Sequence, residues 1–222
     1  MRICLGLLLC CVTGLCFAES FEGAVIANEG LLWQHGIVPY EIDEAMPQGK
    51  VRAIKKAMNT WQNQTIIRFE PRTPSNAESY PDYVSFVKAP GNKCASSVGR
   101  QGGPQEVWLA QRCKHMTIAH ELGHLLGLWH EQGRPDRDKY VRVLWENIRE
   151  GHQKNFGIRN LEGQNAGPYD YDSIMHYSAY AFSKNGKPTI EPLHSNADIG
   201  QRKHLSAGDI HAINTLYQDE VR

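Results

Sequence analysis

The stretch His120-Glu121-Leu122-Gly123-His124-Leu125-Leu126-Gly127-Leu128-Trp129-His130-Glu131 carries the reading of this chain. His120 and His124 are four residues apart, so on a helix they share one face and can grip a single ion. Two imidazoles leave a catalytic zinc site short of protein ligands; such a site usually has three, plus an open position for water. His130 is the third candidate. An uninterrupted helix would carry it away, but Gly127 takes a positive φ without a Cβ penalty, so the helix can stop there and the chain turn back. Glu121 then stands beside the first ligand, placed to take a proton from a water on the metal. An amphipathic core helix with hydrogen-bonded histidines is the competing explanation. It accounts for neither the glycine nor the third histidine.

The run continues Gln132-Gly133-Arg134-Pro135-Asp136-Arg137-Asp138, and from His120 to Asp138 it resembles the astacin family of zinc endopeptidases. Every fixed position of the form HExxHxxGxxHExxRxDRD is present. Further on, Ser173-Ile174-Met175-His176-Tyr177 matches the family's Met-turn, and Leu205-Ser206-Ala207-Gly208-Asp209-Ile210 its final helix. The resemblance runs from about Ala24 to Gln218. It implies an α+β, metzincin-like domain of two lobes. A twisted mixed sheet and two helices form the N-terminal lobe, the zinc helix lies at the cleft, and a mostly irregular C-terminal lobe ends in a helix. It further implies one Zn2+ per chain on His120, His124 and His130, with Glu121 as general base. Met175 becomes an apolar floor beneath the ion, and Tyr177 approaches the metal and can swing to the developing oxyanion. Glu131 is implied to receive the mature N-terminus. Read from the residues alone, Glu131, Arg134, Asp136 and Asp138 are a charge network bracing the loop after His130, Met175 is core, and Tyr177 is a buried aromatic. His176, next to Tyr177, is taken as structural.

The 222 residues suffice for one domain, or two small lobes, with a real core. With 24 Lys+Arg against 24 Asp+Glu, nothing in the charge points to nucleic acid or an anionic membrane. Residues Met1 to Ala18 combine Arg2, an apolar run and a small residue near the end, the pattern of a secretory signal too short to span a bilayer comfortably. Of six cysteines, Cys4, Cys10, Cys11 and Cys16 lie inside that signal. Cys94 and Cys113 remain, and in an exported protein a disulfide is the default for such a pair. A bridge closing a loop of about twenty residues stabilises by roughly 3 kcal/mol on chain-entropy grounds. The resemblance matches this pair to one family disulfide and finds the second missing, with Ile66 and Val221 where its cysteines would be.

The same alignment places the mature N-terminus near Ala24, after a pro-segment of Glu19 to Gly23. The family's Phe-x-Gly-Asp appears as Phe21-Glu22-Gly23-Ala24, so latency through an aspartate on the metal is expected to be absent. A catalytic domain alone, acting as a monomer on protein or peptide, is the expectation.

Elsewhere, Ile37–Asp43, Ile67–Glu70, Tyr83–Val87 and Glu106–Ala110 read as strands and Gln48–Gln64 as an amphipathic helix. Glu146–Phe156 reads as a short helix, and 157–168 as irregular. The resemblance offers Glu106–Ala110 as the edge strand that pairs with substrate; an interior strand is the equal alternative. Asn63-Gln64-Thr65 is a glycosylation sequon. Pro192 and Leu193 lie where family pockets vary, and neither supplies a cation. Two readings outside the peptidase class stay open at this stage: a zinc-bearing but inactive peptide-binding module, and a metal-dependent amidase.

Overall fold

The computed structural model describes residues 23–159, 163–194 and 197–220. The expected leader, all of the expected pro-segment but Gly23, and Val221 lie outside those residues. In chain order the elements are β1 (Gly23–Ile26), β2 (Ile37–Ile42), α1 (Gln48–Gln62), β3 (Arg68–Pro71), β4 (Tyr83–Lys88), β5 (Cys94–Ala95) and β6 (Pro104–Leu109). Then follow α2 (His115–Leu125), β7 (Val141–Val143), β8 (Gly163–Ala166), β9 (Ile190–Pro192) and α3 (Ala207–Leu216).

Five strands form one sheet in the order β3-β2-β4-β6-β5. The first three pairings are parallel and the last, β5 with β6, is antiparallel. Parallel neighbours need a crossover, and α1 supplies the one between β2 and β3. Alternation is plain along β6, where Gln105, Val107 and Leu109 are buried while Pro104 and Glu106 are exposed. The inward row joins Ile54, Ala57, Met58 and Trp61 of α1 and Ile118, Ala119, Leu122 and Leu125 of α2 in one apolar core. A second, smaller core of Val141, Ile148, Phe156, Tyr169, Ile190 and Ile199 lies in the C-terminal half, with β7 and β9 as its short ribbon. This is the expected α+β architecture with two apolar centres.

Two tryptophans hold the zinc helix from the other side of the core. Trp61 Nε1 donates to Ala119 O and Trp33 Nε1 to Leu125 O, each at 2.9 Å. Lys50 is 8% exposed, and its Nζ donates to the carbonyls of Ala110, Gln111 and Cys113 at 3.0, 3.1 and 2.5 Å. Those oxygens belong to the turn that launches α2. Cys94 and Cys113 are bonded to each other, which ties the edge strand to the same turn.

One open choice is decided and two local expectations are corrected. Glu106–Ala110 is not the edge: β6 pairs with β4 along its whole length and with β5 at Trp108 and Leu109, so β5 is the outer strand. Two residues are too short for a periodicity to reveal them. Glu146–Phe156 is two separate 3-10 turns, Trp145–Asn147 and Gln153–Phe156, because Ile148 leaves the helical region and Gly151 sits at φ +79 between them. Within 157–168, Gly163–Ala166 is a strand, made regular by antiparallel pairing with β1 rather than by its own composition.

Candidate metal centre

The zinc helix ends as its glycine demands. Leu126 caps α2, Gly127 has φ +104, and two backbone bonds close the turn at 2.9 Å, Gly127 N–H to His124 O and Leu128 N–H to Gly123 O. That pair of bonds is a Schellman closure, which a residue with a Cβ resists. The returning segment is then held by β1: Ile26 N–H donates to Gly127 O, and Trp129 N–H to Ala24 O. His130 is thereby brought back to face the helix.

The three imidazoles converge. His124 Nε2 and His130 Nε2 are 3.1 Å apart, and His130 Nε2 and His120 Nε2 are 3.3 Å apart. Four ligands about 2.05 Å from a tetrahedral zinc are separated by about 3.3 Å, so the spacing fits that ion. The far nitrogens decide the tautomers. His120 Nδ1 lies 2.7 Å from Ile174 O and His124 Nδ1 2.8 Å from Leu128 O. Carbonyls only accept, so both Nδ1 atoms carry the proton and both Nε2 lone pairs face inward. Burial holds all three imidazoles below the usual histidine range, His124 at about 4. His130 turns its Nε2 toward these two acceptors, so the three nitrogens surround one small space. The donor set therefore fits one divalent zinc, and His120, His124 and His130 are the group among the described residues positioned to hold it.

Glu121 is 6% exposed. Burial pushes its carboxyl up to about 7, opposed by the Arg202 guanidinium and by a hydrogen bond from the Ser96 amide. That bond puts the Glu121 carboxyl against the chain just past β5. Met175 lies under the helix at Gly123, where a Cβ would stand only 2.6 Å from its Sδ. Tyr177 packs its ring against His130, centroids 4.4 Å apart at 60°. Burial raises its phenol to about 12.

The Met-turn is pinned by the last helix. Ser206 and Asp209 form a reciprocal capping box on α3. The Asp209 carboxylate also accepts from Ser173 Oγ at 2.7 Å and from the Ile174 amide at 2.9 Å. Since Ile174 O receives the His120 proton, α3 orients a ligand it never touches.

Glu131 is 1% exposed and accepts from Arg134 Nη1 at 3.2 Å and the Asp170 amide at 2.9 Å. Arg134 also forks onto Asp136 at 2.9 and 3.0 Å and reaches Gly167 O and Pro168 O. Asp138 lies apart from this cluster, paired with Arg137 and 69% exposed. His176 is fully buried, with Nδ1–H donating to Tyr177 O and Nε2 accepting from the Tyr169 hydroxyl, both at 2.7 Å.

Arg202 was missed by sequence reasoning. Its charge acts on Glu121, Tyr177 and all three histidines, and its Nη1 donates to His176 O at 3.1 Å. One clue preceded it: Gly200, at φ +82, where a Cβ would fall 2.2 Å from Ser178 Cα. That glycine lets the 199–202 segment touch the Met-turn.

A metal helix closed by glycine, a third histidine folded back and a methionine floor define the class as single-zinc sites of the metzincin kind. The profile of the Astacin peptidase family matches residues 25–218, and the chain belongs to that family. It is 41% identical over 213 residues to Zinc metalloproteinase nas-6 of Caenorhabditis elegans, covering 90% of this chain and 59% of that protein. To Protein SpAN of Strongylocentrotus purpuratus it is 40% identical over 202 residues, covering 87% of this chain and 32% of that one. The chain thus spans 59% and 32% of the length of these two relatives. Among solved structures, High choriolytic enzyme 1, a hatching enzyme zinc-protease from Oryzias latipes (Medaka fish), aligns with TM-score 0.77 at 38% identity. That alignment covers 86% of this chain and 96% of that one.

Proposed function

We propose that this chain is a secreted zinc-dependent endopeptidase that cleaves internal peptide bonds of proteins. The observation that carries the reading is the convergence of the His120, His124 and His130 Nε2 atoms, with the buried Glu121 next to the first of them in the chain. His120, His124 and His130 would hold the ion, with Met175 as their floor and Glu131 bracing the loop behind His130. Zinc, when bound, supplies a Lewis acid that acidifies water and polarises the scissile carbonyl.

The chain's own groups do the rest. Glu121 takes the proton from the attacking water and returns it to the leaving amine, a task for which a carboxyl poised near neutrality is suited. The Tyr177 phenol donates to the oxygen on which charge develops, an interaction present mainly in the transition state. An extended peptide would add to the outer edge of β5, where main-chain bonds hold it with little regard to sequence. Export is supported by the Met1–Ala18 pattern and by a disulfide typical of an oxidising compartment.

The test is casein cleavage by the zinc-loaded chain, with and without a chelator, beside Glu121→Gln. The substitution should lower turnover by about 10²–10⁴-fold while zinc content is retained. Folded, zinc-loaded protein that cleaves nothing would leave a peptide-binding module as the better reading.

A further inference from the structure

Among the described residues, two besides glycine have φ in the left-handed region, His35 and Phe182. A bulky aromatic at φ +53 is an outlier, since glycine or asparagine would take that conformation with less strain. The turn itself does not call for phenylalanine. It is held by main-chain bonds, Ser183 N–H to Tyr180 O at 3.2 Å and Arg149 N–H to Phe182 O at 2.9 Å. Neither uses the side chain, so the ring must be accounted for by what it touches.

One neighbour is His152, stacked on it at 4.6 Å and 22°. Another is Tyr177, with ring centroids 5.6 Å apart at 52°. Phe156 stands edge-on to both, 6.2 Å from Phe182 and 5.7 Å from Tyr177. Across the phenol lies His130, at 4.4 Å. Tyr177 thus occupies a slot with a metal-ligand imidazole on one side and two phenylalanines on the other.

We propose that Phe182 is the positioning residue for Tyr177: its ring, set by a strained turn and backed by His152, is the wall that keeps the phenol upright at the metal centre. This rests on the reading of Tyr177 as the oxyanion donor. Without the wall, the phenol gains room to lean into the C-terminal lobe, and the hydrogen bond to the developing charge forms less often. Phe182→Gly separates this from a plain packing role, because it relieves the backbone while removing the ring.

The experiment is a double-mutant cycle on peptide hydrolysis with Phe182→Gly, Tyr177→Phe and the pair, with Phe182→Leu as a second truncation and Phe182→Tyr as the ring-retaining control. Phe182→Gly is expected to lower kcat about tenfold with KM within about twofold, and Phe182→Tyr to restore it. In the Tyr177→Phe background the same change should cost under about twofold. An equal loss in both backgrounds, or a loss traced to missing zinc, overturns the proposal. A second arm places 3-fluorotyrosine at position 177 and records its fluorine resonance in chelated protein. Phe182→Gly should shift and narrow the line, and an unchanged line counts against the wall. Failure of the parent chain to cleave any peptide would sink the peptidase reading, while the fluorine arm still tests the wall.

Discussion

A side chain at Gly127 meets two obstacles at once. Its φ of +104 disfavours any Cβ, and that Cβ would lie 3.1 Å from Ile26 Cδ1 and 3.2 Å from Leu216 Cδ2. Gly127→Ala should therefore destabilise by roughly 1–3 kcal/mol. It should also weaken zinc binding, because Leu128 to His130 must shift; competition with a chromogenic chelator measures the second effect. His176 gives a prediction in pH. Burial lowers its imidazole from 6.5 to about 4, so between those values the unfolded chain binds a proton that the folded chain refuses. Stability then rises with pH across the window and is lost as pH falls from 6.5 toward 4. Between pH 7 and 5 this amounts to about 2 kcal/mol, and the fall in unfolding free energy from urea titration should be smaller by that much in His176→Gln. The histidine triplet and Gly127 were legible in the sequence because their meaning is local, a spacing along one helix and its stop. Gly123 and Arg202 were not, since one matters through the approach of Met175 and the other through a loop some eighty residues away in the chain.

At the scale of elements, α2 is a helix without a side-chain N-cap, launched from a turn whose carbonyls are collected by Lys50. Lys50→Met keeps the apolar stem and strands those oxygens. It should destabilise by about 2–4 kcal/mol, read by urea unfolding at pH 7. Asp209→Ala acts from the other end. It removes the acceptor for Ser173, Ile174 and Ser206, so the Met-turn loosens and with it the carbonyl that fixes His120. Zinc affinity should fall about 10–100-fold, measured by competition titration. The capping box on α3 and the run of α1 could be read from residue order alone. The edge strand could not, because β5 becomes a strand through its pairing with Trp108 and Leu109 and carries no pattern of its own.

For the whole molecule, two apolar cores meet at the metal site, one behind α2 and one behind Tyr177. The larger was foreshadowed by periodic apolar residues. The smaller is built from turns and a three-residue ribbon, structure that only tertiary contact makes regular. One long-range bond, Ile66 N–H to Asn214 Oδ1 at 2.9 Å, ties α3 to the segment that follows α1. Asn214→Ala should cost roughly 1–2 kcal/mol in thermal unfolding and leave cleavage specificity unchanged.

The carbonyls of Ile174 and Leu128 grip two of the imidazoles by their outer nitrogens, and neither bond uses the Nε2 atom that faces the site. The cage is thus a finished mould, and its contents are interchangeable cargo. Dialysis against a strong chelator should leave the far-ultraviolet spectrum intact, and cobalt added afterwards should colour the protein within mixing time. An apoprotein that had to refold around its guest would colour slowly, with a spectrum that lagged behind.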